Sequence, residues 1–255
     1  MKHVTVNGLR LEYRDYPAGE PGRPVLVLLH EGLGCVALWR DFPERLAART
    51  GCRTVVFSRA GYGGSEPYGE VRTSRYLHVE ALEALPAFLA ALDIERPFLI
   101  GHSDGASIAL IYAGAFPDRP LGVVAMAPHE FVEEETLAGI RAARETWATT
   151  DMGQKLGRYH RDSERVFHDW NDTWLSPAFR GWNIESYLPA IRCPVLALQG
   201  HEDKYATMRQ IDAIAEQVPA AELLKLRACG HSPHRDQPGA VVSALAAFIQ
   251  RASGS

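Results

Sequence analysis

Little in this 255-residue sequence is available for cross-linking: Cys35, Cys52, Cys193 and Cys229 lie far apart and form no CxxC pair. Neither a disulfide frame nor a zinc site is expected, and the four read as small buried apolar residues in a reducing compartment. Long hydrophobic runs are also missing. The longest aliphatic run, Val25-Leu26-Val27-Leu28-Leu29, has five residues. A membrane span needs about 20 and a secretory leader core about 7–15, and the start MKHVTVNGLR offers neither. A cytoplasmic protein without membrane association is the expectation. Nor is there a surplus of one charge. Lys and Arg number 27 against 31 Asp and Glu, a net −4, which leaves no electrostatic footprint for nucleic acid or anionic lipid. The ten histidines show no HExxH or comparable spacing, so His3, His78, His160 and His168 read as solvated or packed side chains and no metal is expected. There is no internal repeat, and the tail Ser253-Gly254-Ser255 has linker composition.

What is present is a rhythm. Short alternating runs flank Asn7-Gly8, a hairpin signal. Apolar strands then alternate with helical stretches. The strands are Pro24–Leu29, Thr54–Phe57, Phe98–Ile100, Val123–Met126, Val195–Leu198 and Leu223–Leu226, and the helices fall near 37–49, 74–92, 104–116, 207–217 and 238–251. Continuous apolar strands between helices predict an α/β fold with a mostly parallel central sheet covered on both faces. Residues 129–187 break the pattern. They look helical and hold nine of the 23 aromatic residues, among them Trp147, Trp170, Trp174 and Trp182. This stretch reads as a helical cap, with 1–128 and 188–255 forming the core.

The strand Phe98-Leu99-Ile100 runs into Gly101-His102-Ser103-Asp104-Gly105 and then into a helical stretch. GxSxG between a strand and a helix is a nucleophile elbow. A serine on so sharp a turn has a strained backbone, its neighbours two residues away must lack bulk, and its oxygen is lifted toward a helix N-terminus where negative charge is favoured. A serine hydroxyl needs a base, and that base needs a carboxylate to orient it. Two strand ends offer them: Gly200-His201-Glu202-Asp203 and Gly230-His231-Ser232-Pro233-His234. Both lie at the sheet edge that carries Ser103.

With these pieces in place the chain resembles the α/β-hydrolase fold family over nearly its whole length. The resemblance rests on the His30-centred turn, Arg59-Ala60-Gly61-Tyr62-Gly63-Gly64-Ser65, the elbow, Gly200-x-x-Asp203 and Gly230-His231. It implies a serine hydrolase, most simply of carboxylic esters, with Ser103 as nucleophile, Asp203 rather than Glu202 as acid and His231 rather than His234 as base. Thioesters, amides and carbon–carbon bonds beside a carbonyl are attacked by such sites too. The resemblance implies no cofactor, a small-molecule substrate, and an oxyanion hole built from the backbone N–H of Asp104 and one from the loop after the first apolar strand. By position that donor is Gly32, with Glu31 the alternative. Three departures stand out: Glu31 where glycine is usual, Ser58 where an aspartate is common, and Asp104 where an apolar residue is common. A carboxylate at Glu31 opposes a developing oxyanion unless it turns away or pairs, and Asp104 is expected to be held by hydrogen bonds.

Other readings compete. Gly32-Leu33-Gly34-Cys35-Val36-Ala37 fits a dinucleotide fingerprint, but no acidic ribose partner follows and the fingerprint leaves Ser103 and His231 unexplained. Glu130 is a second candidate acid, and His102 reads as a packing residue. Phe167, Trp170 and Trp174 share a helical face, either seating the cap or lining an aromatic acyl pocket. Glu31, His129, Trp147, Trp170 and Trp174 are the pocket candidates. A triad-bearing small-molecule receptor and a cofactor-independent oxygenase are the readings from other classes. A serine nucleophile argues against dehalogenase and epoxide hydrolase chemistry.

Overall fold

The computed structural model describes residues 1–19, 22–69 and 72–254, so Ser255 of the linker-like tail lies outside the described residues. Strands β1 (Lys2–Val6) and β2 (Leu9–Tyr16) form an antiparallel hairpin. Its turn residues Asn7 and Gly8 take left-handed φ values of 49° and 81°, as a type I′ turn requires. The others are β3 (Val25–Leu29), β4 (Arg53–Phe57), β5 (Phe98–His102), β6 (Gly122–Met126), β7 (Val195–Gly200) and β8 (Ala221–Leu226). They build one eight-stranded sheet in the order β1-β2-β4-β3-β5-β6-β7-β8. β2 pairs antiparallel with β4, and every pairing beyond it is parallel.

Alternate residues of the parallel strands reach opposite faces, as the pleat dictates. Val27, Leu29, Val55, Leu99 and Val123 pack on one face with the helices Asp104–Ala115 and Leu85–Ala91. Leu26, Leu28, Val56, Ile100 and Val124 pack on the other with Phe42–Thr50 and Pro238–Ser253. Both faces are dry, which is why the strands read as unbroken apolar runs. Truncating one such leucine, Leu28 for example, to alanine costs about 2–5 kcal/mol.

One helix is irregular. It is α-helical over Tyr76–Val79, widens to a π-turn over Glu80–Ala84 and returns to α over Leu85–Ala91. Pro86 has no N–H for the preceding turn, and the wider turn relieves the clash of its ring with the backbone.

Between β6 and β7 the chain is helical: Glu134–Thr149, Met152–Leu156 and Ser163–Leu175, then short turns at Pro177–Phe179 and Glu185–Ala190. Among the described residues, an isolated antiparallel bridge joins Phe131 and Asn183. His160 ties this layer to the sheet loops: its Nδ1 accepts the Gly63 N–H at 2.9 Å and its Nε2–H donates to the Leu33 carbonyl at 3.0 Å. Burial lowers the His160 pKa, which suits an imidazole that must accept at one nitrogen. Among the described residues no helix is long and apolar enough to cross a membrane.

Candidate active site

β5 delivers Ser103 to the sheet edge where the parallel strands end, at φ 52° and ψ −118°, directly before the helix Asp104–Ala115. A left-handed φ at a residue with a side chain is strained and persists only where the surroundings enforce it. They do so by contact. A Cβ on Gly101 would stand 2.2 Å from the Gly105 carbonyl oxygen, and one on Gly105 would stand 2.0 Å from that of Leu29. The first backbone N–H of the helix to meet an acceptor among the described residues is that of Ala106, on the Ser103 carbonyl at 2.8 Å. The Asp104 N–H is therefore unspent beside the serine.

The loops after β7 and β8 bring Asp203 and His231 to the same place. His231 Nδ1 lies 2.8 and 2.9 Å from the two Asp203 carboxylate oxygens, and its Nε2 lies 3.0 Å from Ser103 Oγ. A carboxylate can only accept, so the proton sits on Nδ1 and Nε2 is free to accept from the hydroxyl. Burial by itself would raise the Asp203 pKa, but the His231 hydrogen bond and charge, with the Tyr205 N–H at 2.8 Å, bring it below the ordinary carboxylate range. The backbone of His231 is held as well. His102 Nε2–H donates to the His231 carbonyl at 2.6 Å, so His102 does more than pack.

A polar chain lies beneath the elbow. The Trp174 indole N–H donates to the Tyr76 hydroxyl at 2.9 Å, and that hydroxyl donates to Asp104 Oδ2 at 2.8 Å. Arg59 Nη2 stands 3.5 Å from the same oxygen, with both side chains 1% exposed. Asp104 is thus held by a hydroxyl and a guanidinium. The turn after β3 is fixed by His30, whose Nε2 accepts the Arg59 N–H at 3.0 Å and whose Nδ1–H donates to the Glu31 carbonyl at 2.7 Å. Burial and the Arg59 charge push the His30 pKa well down, so this ring is neutral. Where an aspartate is common before Arg59, the Ser58 hydroxyl donates to Glu12 Oε1 at 2.6 Å and accepts the Val36 N–H at 2.9 Å. β2 thus brings a carboxylate to a position that lacks one in its own loop.

Glu31 neither turns fully away nor stands alone. Its carboxylate lies 3.5 Å from His102 Nδ1, an ion-pair distance rather than a formed hydrogen bond. Burial pushes its pKa up, but the neighbouring His102 outweighs burial and pulls it well below the usual carboxylate range.

A cavity of about 200 Å³ opens at Ser103. Among the pocket candidates, Glu31, His129, Trp170 and Trp174 line it. Trp147 does not. It stacks on Phe167 with ring centroids 4.1 Å apart, in the packing of the helical layer. Leu33, Thr136, Ile140 and Tyr205 also line the cavity, and sequence reasoning missed them. Tyr205 carried a signal, since it follows Asp203 by two residues, and its ring lies 4.8 Å from that of His231. Burial and the nearby His231 charge lower the His129 pKa to about 4, leaving it neutral with its Nε2–H on the Tyr205 carbonyl.

The rejected alternatives are visible too. Glu130 is fully buried, and neither of its carboxyl oxygens has a partner among the described residues. His234 packs on Trp39 and Phe42, with centroids 4.8 and 5.4 Å away. A larger concavity of about 580 Å³ lies beside Arg96, Pro117 and Pro194, at the opposite ends of the strands. Open parallel sheets bind ligands at the carboxyl ends of their strands, and size alone does not locate chemistry.

The sequence profile described as the alpha/beta hydrolase family matches residues 26–244. A 2-succinyl-6-hydroxy-2,4-cyclohexadiene-1-carboxylate synthase of Salmonella paratyphi C is 26% identical, over 93% of this chain and 98% of its own. Two solved structures share the fold. A carboxylesterase of the thaumarchaeon Nitrososphaera gargenis superposes with a TM-score of 0.78 at 21% identity, over 99% of each chain. The enol-lactonase of Burkholderia xenovorans superposes with a TM-score of 0.77 at 19% identity, over 98% of this chain and 100% of its own. The chain belongs to the alpha/beta hydrolase family and is an enzyme of that fold.

Proposed function

We propose that the protein is a carboxylic-ester hydrolase working through an acyl-enzyme on Ser103. The observation that carries this reading is the unbroken line from Asp203 through His231 to Ser103, at 2.8 and 3.0 Å, ending on a serine held at positive φ. In it, His231 Nε2 takes the hydroxyl proton as Ser103 Oγ attacks the carbonyl carbon. The backbone N–H groups of Asp104 and Gly32 receive the tetrahedral oxyanion. His231 then gives its proton to the leaving group, and water clears the acyl-enzyme by the reverse route. Asp203 keeps the proton on Nδ1 and stabilises the imidazolium. Residues 129–187 act as the cap over this site, on the core of 1–128 and 188–255. A cavity of about 200 Å³ with two indoles in its wall suits a small or medium acyl group, aromatic rings included. The same reading makes the protein a cytoplasmic enzyme acting on a small molecule without a cofactor.

A second reading has one observation behind it. One curated relative is named a synthase, so carbon–carbon chemistry beside a carbonyl competes with ester hydrolysis on the same residues. Turnover against a panel of esters, thioesters, amides and β-diketones separates the two, and single-turnover behaviour would indicate a receptor. For the nucleophile itself, a serine-reactive phosphonate is expected to add once, at Ser103. Ser103→Ala is expected to abolish labelling and to lower kcat by about 10⁴–10⁶. Labelling at another serine, or turnover that survives the substitution, overturns the assignment.

A further inference from the structure

We infer that the compound this site takes carries no negative charge on its acyl part: it is an uncharged or cationic acyl compound, and a carboxylate-bearing one is refused. The inference rests on Ser103 being the nucleophile and adds the charge class of its substrate. It comes from the charges that surround the cavity. No lysine or arginine lines it among the described residues, whereas Glu31 does. The buried guanidiniums of Arg59 and Arg72 are 1% and 4% exposed and engaged by Asp104 and Glu80. Asp203 faces the His231 ring, and Glu31 faces the His102 ring. Among the described residues, no lysine or arginine at the cavity is left over for a substrate anion.

The loop after β3 is shaped to keep this arrangement. A Cβ on Gly34 would stand 2.3 Å from Glu31 Oε2, and one on Gly32 would stand 2.3 Å from Trp170 Cδ1 and Nε1. Two glycines that mimic a dinucleotide fingerprint therefore make room for a carboxylate and an indole. The Glu31 side chain keeps 27% of its surface accessible. A carboxylate beside the indoles of Trp170 and Trp174 is a setting in which an ammonium group is attracted from both sides. An anionic acyl group would meet repulsion there, and again from the oxyanion that develops during attack.

Three ethyl p-nitrophenyl alkylphosphonate diesters, uncharged at phosphorus and differing only at the far end of the alkyl chain, in methyl, ammonium or carboxylate, test this without knowledge of the natural substrate. The measurement is the second-order rate of labelling at low ionic strength, with the adduct placed at Ser103 by peptide mass. The methyl and ammonium probes are expected to label about 100-fold faster than the carboxylate probe. In Glu31→Gln the gap between ammonium and carboxylate is expected to narrow by about tenfold, and in wild type high salt is expected to narrow it in the same direction. A carboxylate probe that labels Ser103 as fast as the methyl probe overturns the inference while leaving the nucleophile intact. Labelling of Ser103 by none of the three overturns the serine reading itself, and the charge inference with it.

Discussion

Two loops leave neighbouring strands of this sheet, and each carries a buried carboxyl group. After β7, Asp203 has a side chain 1% exposed, pressed against the His231 ring and held by the Tyr205 N–H. After β6, Glu130 is 0% exposed and touches no donor among the described residues. Burial pushes both pKa values up. His231 and its hydrogen bond reverse the effect at Asp203, while at Glu130 the negative charges of Glu133 and Glu185 add to it, so that pKa ends well above the usual range. One carboxyl is an anion against a histidine, and the other is a neutral acid in a dry wall. The partner, not depth, decides which a buried acid becomes.

Exchanging one oxygen for nitrogen in each acid tests this contrast most severely. Asp203→Asn replaces one of the two accepting oxygens at His231 Nδ1 by an NH2 donor, so the tautomer is no longer fixed, and is expected to lower kcat by about 10⁴. Glu130→Gln is expected to leave steady-state turnover near that of wild type. Loss of turnover in Glu130→Gln with retention in Asp203→Asn would invert the assignment.

The same contrast recurs between two histidines three residues apart. His231→Ala is expected to cost about 10⁴-fold or more in kcat. His234 is packed among Trp39, Phe42 and His102. Its truncation is expected to keep activity within about tenfold while lowering stability by about 1–3 kcal/mol. Kinetics and thermal melts on both variants read the two effects separately.

Glu130 also gives the comparison a pH axis. Its folded-state pKa lies above the unfolded value of 4.5. Its proton therefore favours the folded state, fully so below pH 4.5, and that contribution is lost as pH rises toward the folded pKa. The slope in this window is about 1.4 kcal/mol per pH unit. Asp203 behaves oppositely: its contribution is present above its unfolded value of 3.8 and is lost as pH falls through the lowered one. The difference in Tm between Glu130→Gln and wild type is thus expected to grow from about pH 5 upward. A difference that is flat with pH would show that Glu130 is paired in solution.

How far such distinctions could be read from the sequence depends on their range. The sheet was legible because strand, turn and helix are local: Gly101 and Gly105 flank the serine within five residues, and Asn7-Gly8 closes its hairpin alone. Asp203 and His231 were legible as strand-end motifs of a resembling family. The partners of side chains were not. Glu12 reaches Ser58, and His102 reaches the His231 carbonyl, only because β2 and the loop after β8 arrive there in three dimensions. Thr136 and Ile140 are one turn apart on a helix that meets its neighbours through contacts such as the Asn171 amide on the Ile140 carbonyl and Gly139 against Tyr205, at separations no local pattern records.

The aromatic residues of 129–187 carry the last and smallest test. Phe167, Trp170 and Trp174 share a helical face by period, yet the structure divides them. Trp170 and Trp174 line the cavity, whereas Phe167 is buried against Trp147, their planes 9° apart. The face is therefore both pocket wall and seat, and the division predicts different losses. Trp170→Ala removes an indole from the cavity wall and, on the proposed function, is expected to change the ratio of kcat/KM for aromatic over short aliphatic esters by about 1–3 kcal/mol. Trp174→Ala is expected to do the same and also to weaken the elbow, because its N–H holds the Tyr76 hydroxyl that holds Asp104. Trp147→Ala opens a gap beside Phe167 and is expected to lower Tm with the ratio unchanged. Ester pairs of matched leaving group, measured on all three variants with melting curves, separate these outcomes. An unchanged ratio in Trp170→Ala, or a changed one in Trp147→Ala, would move the acyl pocket to the other side of the helix.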